Sequence, residues 1–267
     1  MSTLGAPLPA PLVHRSGSGP AVVLLHPLGV DRTVWDGLTA ALDGWTVVTY
    51  DLPGHGEAPT PAERYTVEDL ADQLSVMIED EGLAPAHLVG VSLGGLVAQV
   101  VAARRPELVD RLVVVDAVAT YPPPVVQQWR DRPPLVRSQG LEPLLQATLD
   151  LWFTAAEVRR DGPAVQTVRR LFLQGDAEGY ARACEALEVA DTRELVPDIT
   201  APTLVVCGDD DAPPFTAAAP WFVETLPDAR LAWLSPARHA GALEQPEQFR
   251  DAVVGFLRQD LPGDGRA

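Results

Sequence analysis

The stretch Ala86-His87-Leu88-Val89-Gly90-Val91-Ser92-Leu93-Gly94 decides the interpretation of the whole chain. An apolar run typical of a buried strand ends at a serine between two glycines, and Leu93–Arg104 then follows with a helical composition. Such a turn bends sharply, and only neighbours without side chains leave room for the bend. The bend lifts the hydroxyl out of the sheet, beside the first N–H groups of the helix. The pattern predicts a nucleophile at Ser92, although a serine in a glycine-rich turn is often structural.

A serine hydroxyl becomes an effective nucleophile when a base removes its proton. In folds with this turn, the acid and then the histidine follow the serine along the chain. His239 is the one histidine of the sequence that lies after Ser92, in the loop that follows the predicted strand Ala229–Leu234. Chain order therefore selects His239 as the base, against the alternative of a solvated loop histidine.

The acid that orients His239 is expected at the end of a late strand. After the apolar run Thr203–Cys207 come Gly208 and three aspartates, Asp209 to Asp211. We favour Asp211, with Asp210 next and Asp116, at the end of an earlier strand, as the fallback. The competing interpretation is plain turn chemistry, because aspartate is common in loops.

The oxyanion that forms during acyl transfer needs two backbone N–H donors. Leu93, the residue after the nucleophile, is expected to provide one of them. The loop after the first clear strand, His26-Pro27-Leu28-Gly29, is expected to provide the other. Pro27 has no N–H, so the prediction is Leu28. His26 is expected to brace this loop and not to react.

Apolar, β-branched runs alternate with helical patterns, which predicts an α/β fold with a mostly parallel sheet flanked by helices. Residues 1–120 and 198–267 are predicted to form this core. The segment 121–197 interrupts the alternation and is predicted to be an inserted helical cap. The predicted strands are Ala21–His26, Thr46–Asp51, Ala86–Ser92, Arg111–Ala117, Ala201–Gly208 and Ala229–Leu234. The predicted helices are Val67–Asp80, Leu93–Arg104, Leu141–Phe153, Gly162–Gln174, Gly179–Ala190 and Glu247–Arg258.

The composition excludes several classes of function. The 267 residues carry a net charge of −17, which argues against nucleic-acid and anionic-membrane partners. All 20 basic residues are arginine, so chemistry that requires a lysine amine is excluded. The two cysteines, Cys184 and Cys207, are too few for a metal cluster, and Cys207 is expected to be a buried, inert thiol. No metal or organic cofactor is expected.

The N-terminal 20 residues lack the basic start and apolar stretch of a signal peptide, and no run of 18 apolar residues is present. These features predict a cytoplasmic protein without a membrane partner. Its expected partner is a small-molecule ester or lactone, and the sequence does not indicate an oligomeric state.

Together these motifs resemble the α/β-hydrolase superfamily, from Ala21 to Leu257. Within it, the sequence is most similar to 3-oxoadipate enol-lactonases of the β-ketoadipate pathway. The segments that carry this resemblance are Leu28–Asp31 with Trp35-Asp36, and the cap sequences Trp129-Arg130-Asp131-Arg132, Val136-Arg137, Leu151-Trp152-Phe153, Gly179-Tyr180-Ala181 and Ala190-Asp191-Thr192-Arg193. His26-Pro27 departs from the serine-containing loop expected in several lactonases.

The resemblance implies a serine hydrolase that opens an enol-lactone carrying a carboxylate. A protein of charge −17 repels an anionic substrate, so a local cation is required. Arg132 and Arg137 are the candidates, because a guanidinium pairs with a carboxylate bidentately. The alternative is that they pair with acidic neighbours. Trp129 and Trp152 either line the pocket or belong to the core of the cap.

Two other functions remain open at this stage. The first is a carboxylesterase or lactonase that acts on another small-molecule ester with the same catalytic residues. The second is a non-catalytic ligand-binding member of the fold, for which a broken triad would be the sign.

Overall fold

The computed structural model describes residues 8–259 and contains a seven-stranded sheet in this range. The strands follow the order β1-β3-β2-β4-β5-β6-β7, and every pairing is parallel except that of β1 with β3. Their bounds are β1 Val13–Gly17, β2 Ala21–Leu25, β3 Thr46–Tyr50, β4 Ala86–Val91, β5 Val109–Val115, β6 Thr203–Gly208 and β7 Ala229–Leu234.

Eleven α-helices connect and cover these strands within the described residues. Their bounds are α1 Asp36–Thr39, α2 Val67–Asp80, α3 Leu93–Arg104, α4 Pro123–Gln139, α5 Glu142–Trp152, α6 Ala155–Arg160, α7 Pro163–Gln174, α8 Ala177–Val189, α9 Pro213–Thr225, α10 Gly241–Glu244 and α11 Pro246–Leu257. A capping box begins α2, in which Thr66 and Asp69 each accept a hydrogen bond from the other's backbone N–H.

Successive side chains of a strand point to opposite faces of the sheet, which divides the core into two layers. In β2, Val23 and Leu25 pack on the side of α2, α3 and α9, whereas Val22 and Leu24 pack on the side of α1 and α11. Helix α3 is buried on nearly all sides, which explains why its sequence is apolar throughout and not amphipathic. This buried helix fixes the residue that precedes it, Ser92.

Helices α4 to α8 all lie between β5 and β6 in the chain, inside the segment predicted as a cap. Helices α4 and α8 pack together, and a separate apolar cluster forms around Leu149, Phe153 and Val168 of α5, its C-terminal flank and α7. The fold-class prediction is confirmed. The proposed domain bounds stay a prediction, and their ends extend into residues 1–7 and 260–267, outside the described residues.

Among the strands and α-helices of the described residues, six were not specified by the sequence analysis: strand β1 and helices α1, α4, α6, α9 and α10. Strand β1 is a half-exposed edge strand without an apolar run. Helices α4 and α9 both begin with consecutive prolines, which resemble loop signals but are compatible with the first turn of a helix. Among the described residues, no helix is long and apolar enough to cross a bilayer.

Candidate active site

Ser92 occupies a strained turn between β4 and α3. Its φ and ψ angles are 52° and −111°, in a region that side chains rarely adopt. The Ser92 N–H donates to the Val115 carbonyl at 3.0 Å, and the Ser92 carbonyl accepts from the Leu96 N–H at 3.0 Å. The neighbouring strand and the helix therefore hold this turn from both sides.

The glycines around Ser92 are required by close backbone contacts. A Cβ on Gly90 would lie 2.3 Å from the Gly94 carbonyl oxygen, and a Cβ on Gly94 would lie 2.4 Å from that of Leu25. Both distances are far below van der Waals contact. The sequence pattern thus reflects a tight crossing of β4, α3 and β2, as the turn prediction assumes.

His239 and Asp211 form a buried pair. The His239 Nδ1 atom lies 2.9 Å from Asp211 Oδ2, and the other Asp211 oxygen accepts from the Ala212 N–H at 2.6 Å. The two residues come from the loops after β7 and β6 respectively. Asp210 does not share this position: its side chain is exposed, and the Arg238 guanidinium binds its backbone carbonyl.

Burial disfavours the charged form of His239, but the charge and hydrogen bond of Asp211 outweigh it and raise the pKa of His239 above its usual value. A histidine in this state is a stronger base than a free imidazole. The arrangement can therefore accept a proton from a nearby hydroxyl and stabilise the resulting imidazolium.

Two aromatic residues that the sequence analysis did not select also lie here. Burial raises the pKa of Tyr121, against the opposing effect of Ser92, so its phenol stays neutral. The Phe215 ring lies 4.2 Å from the His239 ring and 6.5 Å from that of Tyr121. Tyr121 follows β5, and Phe215 lies in α9, a helix that was not predicted. The order of the strands in the sheet and the packing of α9 bring the two residues together.

The two predicted oxyanion donors are free to act. Among the described residues, neither the Leu28 N–H nor the Leu93 N–H donates to a protein acceptor. Leu93 is the first residue of α3, where the N–H has no partner inside the helix. His26 links this loop to the next one, because its Nε2 accepts from the Leu52 N–H at 2.9 Å. Burial lowers the pKa of His26 to about 4, so it is neutral.

Arg132 lies in α4, inside the segment predicted as a cap. Its guanidinium stacks on the Trp129 ring at 4.4 Å, and its Nη1 donates to the Tyr180 hydroxyl at 3.1 Å. No carboxylate of the described residues pairs with it. Its charge also acts on Tyr121, as Ser92 does. Trp129 is buried and packs edge-on against Tyr121 at 5.4 Å.

Arg137 is in a different situation from Arg132. Its guanidinium pairs with Glu178 at 2.7 Å and with Glu185 at 2.9 Å, so two carboxylates already occupy it. For Arg137 the structure shows the acidic neighbours of the alternative, and its role as a substrate ligand stays a prediction. Trp152 lies close to the His239–Asp211 pair, with its ring 6.1 Å from that of His239 and its carbonyl accepting from the Ala240 N–H at 2.8 Å.

Two cavities flank the candidate site. A small apolar one reaches His239 and is lined by Pro27, Val34, Trp35, Val91, Trp152 and three residues that follow His239. A larger cleft of about 510 Å³ lies beside Gly29 and Tyr180 and contains none of Ser92, Asp211 and His239. The small cavity is thus the one next to His239.

One group of the described residues has donor atoms spaced for a metal ion. The atoms of Asp116, Cys207 and Asp211 lie within 4.8 Å of one another. Both Asp211 oxygens are already engaged by His239 and Ala212, which leaves an incomplete set of ligands. Cys184 and Cys207 are both buried free thiols, and burial raises the pKa of Cys184 to about 12.

Comparison with known proteins agrees with this geometry. A model of the alpha/beta hydrolase family matches residues 22–252. The chain belongs to this family. An alpha/beta hydrolase relative in Acinetobacter baylyi, 3-oxoadipate enol-lactonase 2, is 32% identical over 241 residues, which are 90% of this chain and 89% of the relative. The resemblance stated from the sequence is thereby confirmed.

Solved structures of this fold extend the comparison. The enol-lactonase from Burkholderia xenovorans LB400 superposes with a TM-score of 0.87 and 31% identity, covering 94% of this chain and 98% of that chain. A thermophilic esterase from Thermogutta terrifontis superposes with a TM-score of 0.87 and 26% identity, covering 93% of both chains. This alpha/beta hydrolase thus has lactonase and esterase relatives that match it over nearly their full length.

Proposed function

We propose that this alpha/beta hydrolase is a serine hydrolase of carboxylic esters or lactones, and that its substrate is the enol-lactone of 3-oxoadipate. The supporting observation is a strained serine followed by the unpaired Leu93 N–H, together with the unpaired Leu28 N–H and a buried His239–Asp211 pair. The enol-lactonase relatives support the choice of substrate. Cytoplasmic aromatic-compound catabolism is the proposed setting.

In the proposed acylation, Ser92 Oγ attacks the lactone carbonyl while His239 Nε2 takes its proton. The carbonyl oxygen becomes an oxyanion that accepts hydrogen bonds from the Leu28 and Leu93 N–H groups, each worth about 3 kcal/mol. The ring C–O bond then breaks. The enol oxygen leaves with the proton from His239, and the acyl group remains on Ser92.

Deacylation repeats the same proton transfers with water. His239 takes a proton from a water molecule, whose oxygen attacks the acyl carbon, and the second oxyanion occupies the same two N–H groups. The bond to Ser92 Oγ breaks, and His239 returns the proton to the serine. Throughout, the Asp211 carboxylate stabilises the imidazolium and holds the ring in the required tautomer.

Arg132 is the proposed partner of the substrate carboxylate. Its guanidinium has no acidic partner among the described residues and stacks on the Trp129 ring. Its positive charge acts to lower the pKa of Tyr121, on which Ser92 also acts. A carboxylate placed there would gain a charge-assisted hydrogen bond in a partly buried setting. Trp129 would position the cation, and Trp152 would line the opposite side near His239.

The test compares esters with and without a distal carboxylate. Arg132→Ala is expected to lower kcat/KM for the carboxylate-bearing lactone by about 10- to 100-fold, the effect of losing one charge-assisted hydrogen bond. For a neutral aryl ester the same change is expected to cost less than about threefold. Equal losses on both substrates would remove Arg132 from this role.

Arg137→Ala is the matched control for this test, because it removes a cap arginine whose partners are Glu178 and Glu185. It is expected to affect the two substrates to the same degree. A selective loss with the anionic substrate in Arg137→Ala would transfer the proposed role to Arg137.

A carboxylesterase of small neutral esters is the second candidate. The similarity to the esterase from Thermogutta terrifontis favours it, and the residues that surround His239 on the side of Trp35 and Trp152 are apolar. Faster turnover of short aryl esters than of the enol-lactone by the unmodified protein would support this candidate. A non-catalytic binder, in contrast, would fail to react with a fluorophosphonate at Ser92.

A further inference from the structure

Asp116 lies directly behind the catalytic pair in a strained and buried position. Its φ angle is 43°, its N–H donates to the Val206 carbonyl at 2.9 Å, and its Oδ1 accepts from the Gly208 N–H at 2.9 Å. These two bonds clamp Asp116 across β5 and β6. Its second oxygen, Oδ2, is buried and has no hydrogen-bond partner among the described residues.

A second acidic side chain lies close to this carboxyl group. Donor atoms of Asp116 and Asp211 lie within 4.8 Å of each other, with the Cys207 thiol completing the group. Burial, together with the charge of Asp211, raises the pKa of Cys207, so this thiol is neutral. Two adjacent buried carboxylates cannot both be ionised at low cost.

The charged groups around Asp116 indicate which carboxyl keeps the proton. His239 and Arg238 come from the loop after β7; His239 binds Asp211, whereas the Arg238 guanidinium donates to the carbonyls of Asp210 and Asp150. Asp209, from the loop after β6, adds further negative charge near Cys207. No cation of the described residues pairs with Asp116, so the proton belongs on Asp116 and the charge on Asp211.

We propose that Asp116 is a positioning residue for the His239–Asp211 pair, which holds a proton on Oδ2 in the resting enzyme so that the negative charge behind His239 resides on Asp211. Loss of this proton in mildly alkaline solution would add a second negative charge beside the imidazole and make it a stronger base.

The electrostatic balance supports this assignment. Burial raises the pKa of Asp116 to about 8, with Asp211 adding to the shift and His239 and the Gly208 N–H opposing it. Asp116 in turn contributes to the raised pKa of His239. Its two protonation states therefore interchange within the range where esterases can be assayed.

Infrared spectroscopy of the full chain with ¹³C-labelled aspartate carboxyls tests the proton directly. At pH 7 we expect the C=O band of a protonated aspartic acid, which disappears in Asp116→Asn and titrates with a midpoint near pH 8 in the unmodified protein. In Asp211→Asn the midpoint should fall by about one pH unit or more, because the like charge is gone. The absence of the band at pH 7, or its persistence in Asp116→Asn, would overturn the proposal. An unchanged midpoint in Asp211→Asn would overturn the coupling, and this arm remains decisive if Asp116→Asn does not fold.

The kinetic consequence rests on the proposed function, whereas the infrared measurement does not. With 4-nitrophenyl acetate, the ratio of kcat/KM between the unmodified enzyme and Asp116→Asn should rise about two- to fivefold from pH 7 to 9. A merely structural defect would give a ratio independent of pH, which would contradict the positioning role. Absence of hydrolysis by the unmodified protein would count against the proposed function and would leave the infrared result as the test of Asp116.

Discussion

Ser92 combines an unfavourable backbone conformation with a buried position. A non-glycine residue in such a region costs about 1–3 kcal/mol, and it persists because its surroundings determine it fully. Here the Val115 carbonyl and the start of α3 provide that support. Only 7% of the Ser92 surface and 4% of the His239 surface are exposed, so proton transfer between them would take place away from bulk water.

The pH dependence of hydrolysis should report His239. The base must be neutral to accept a proton, so activity falls as pH drops through its pKa. Because Asp211 raises that pKa above the ordinary value of 6.5, the acidic limb of log kcat/KM should have its midpoint above pH 6.5. In Asp211→Asn the residual activity should show this midpoint at a lower pH.

His14→Gln provides the control for the pH profile, because His14 lies on the edge strand β1 and its ion pair is with Glu57. This variant should keep the acidic midpoint of the unmodified enzyme. A profile that His14→Gln shifts and Asp211→Asn does not would contradict the assignment of His239 as the base.

At the scale of elements, the turn between β4 and α3 depends on backbone contacts that leave no space for an added Cβ atom. Gly90→Ala should destabilise the protein by about 2–4 kcal/mol, because its Cβ would lie 2.3 Å from the Gly94 carbonyl oxygen and the backbone must shift. Urea denaturation measures the change, and activity should fall with it because Ser92 moves.

Gly255→Ala is the matched control within the same molecule. Gly255 lies in α11, and a Cβ there meets no other atom within 4 Å. The substitution should stabilise the protein by about 0.5–1 kcal/mol, through the higher helix propensity of alanine. Similar effects at the two positions would mean that close packing is not the reason for glycine at the turn.

The elements that could be predicted from the sequence are those with local signals. Gly90 and Gly94 mark the turn directly, and chain order alone selects His239. Asp116 was selected only as a fallback acid, and the pairing of β5 with β6 places it near Asp211. Tyr121 and Phe215 gave no comparable signal, because the packing of α9 brings them together. The starts of α4 and α9 were missed because proline suits both loops and first helical turns.

At the scale of the molecule, α5 and the residues that follow it meet the loop that holds His239. Glu244 accepts hydrogen bonds from the Thr154 N–H at 3.1 Å and the Arg238 N–H at 3.2 Å, as well as from the Thr154 hydroxyl. The Ala240 N–H donates to the Trp152 carbonyl at 2.8 Å. The position of His239 therefore depends on the contact between α5 and the loop after β7.

Glu244→Ala should lower the free energy of unfolding by about 1–3 kcal/mol, because it leaves several half-buried donors unpaired. It should also lower kcat/KM, since the loop with His239 loses its attachment to the cap. Urea denaturation and ester hydrolysis measure the two effects.

Glu247→Ala, at an exposed position three residues away, should change stability by less than about 0.5 kcal/mol and leave kcat/KM nearly unchanged. Equal effects of the two substitutions would show that the attachment through Glu244 does not support the site.

The α/β fold class could be anticipated because the alternating apolar runs and the turn at Ser92 both indicate it. The fate of the cap arginines could not be anticipated. Arg132 and Arg137 are five residues apart on one helix, and only the packing of α8 against α4 places Glu178 and Glu185 beside Arg137. Such long-range pairings leave no trace in local composition.

The central claim is that Ser92 is an activated nucleophile, and a fluorophosphonate tests it most directly. Intact-mass spectrometry of the full chain should show one covalent adduct, mapped to Ser92. The adduct should be absent in a folded Ser92→Ala variant, whose ester hydrolysis should fall by about 10⁴-fold or more. An unlabelled native protein, or a Ser92→Ala variant that is labelled and hydrolyses esters at the native rate, would contradict the account.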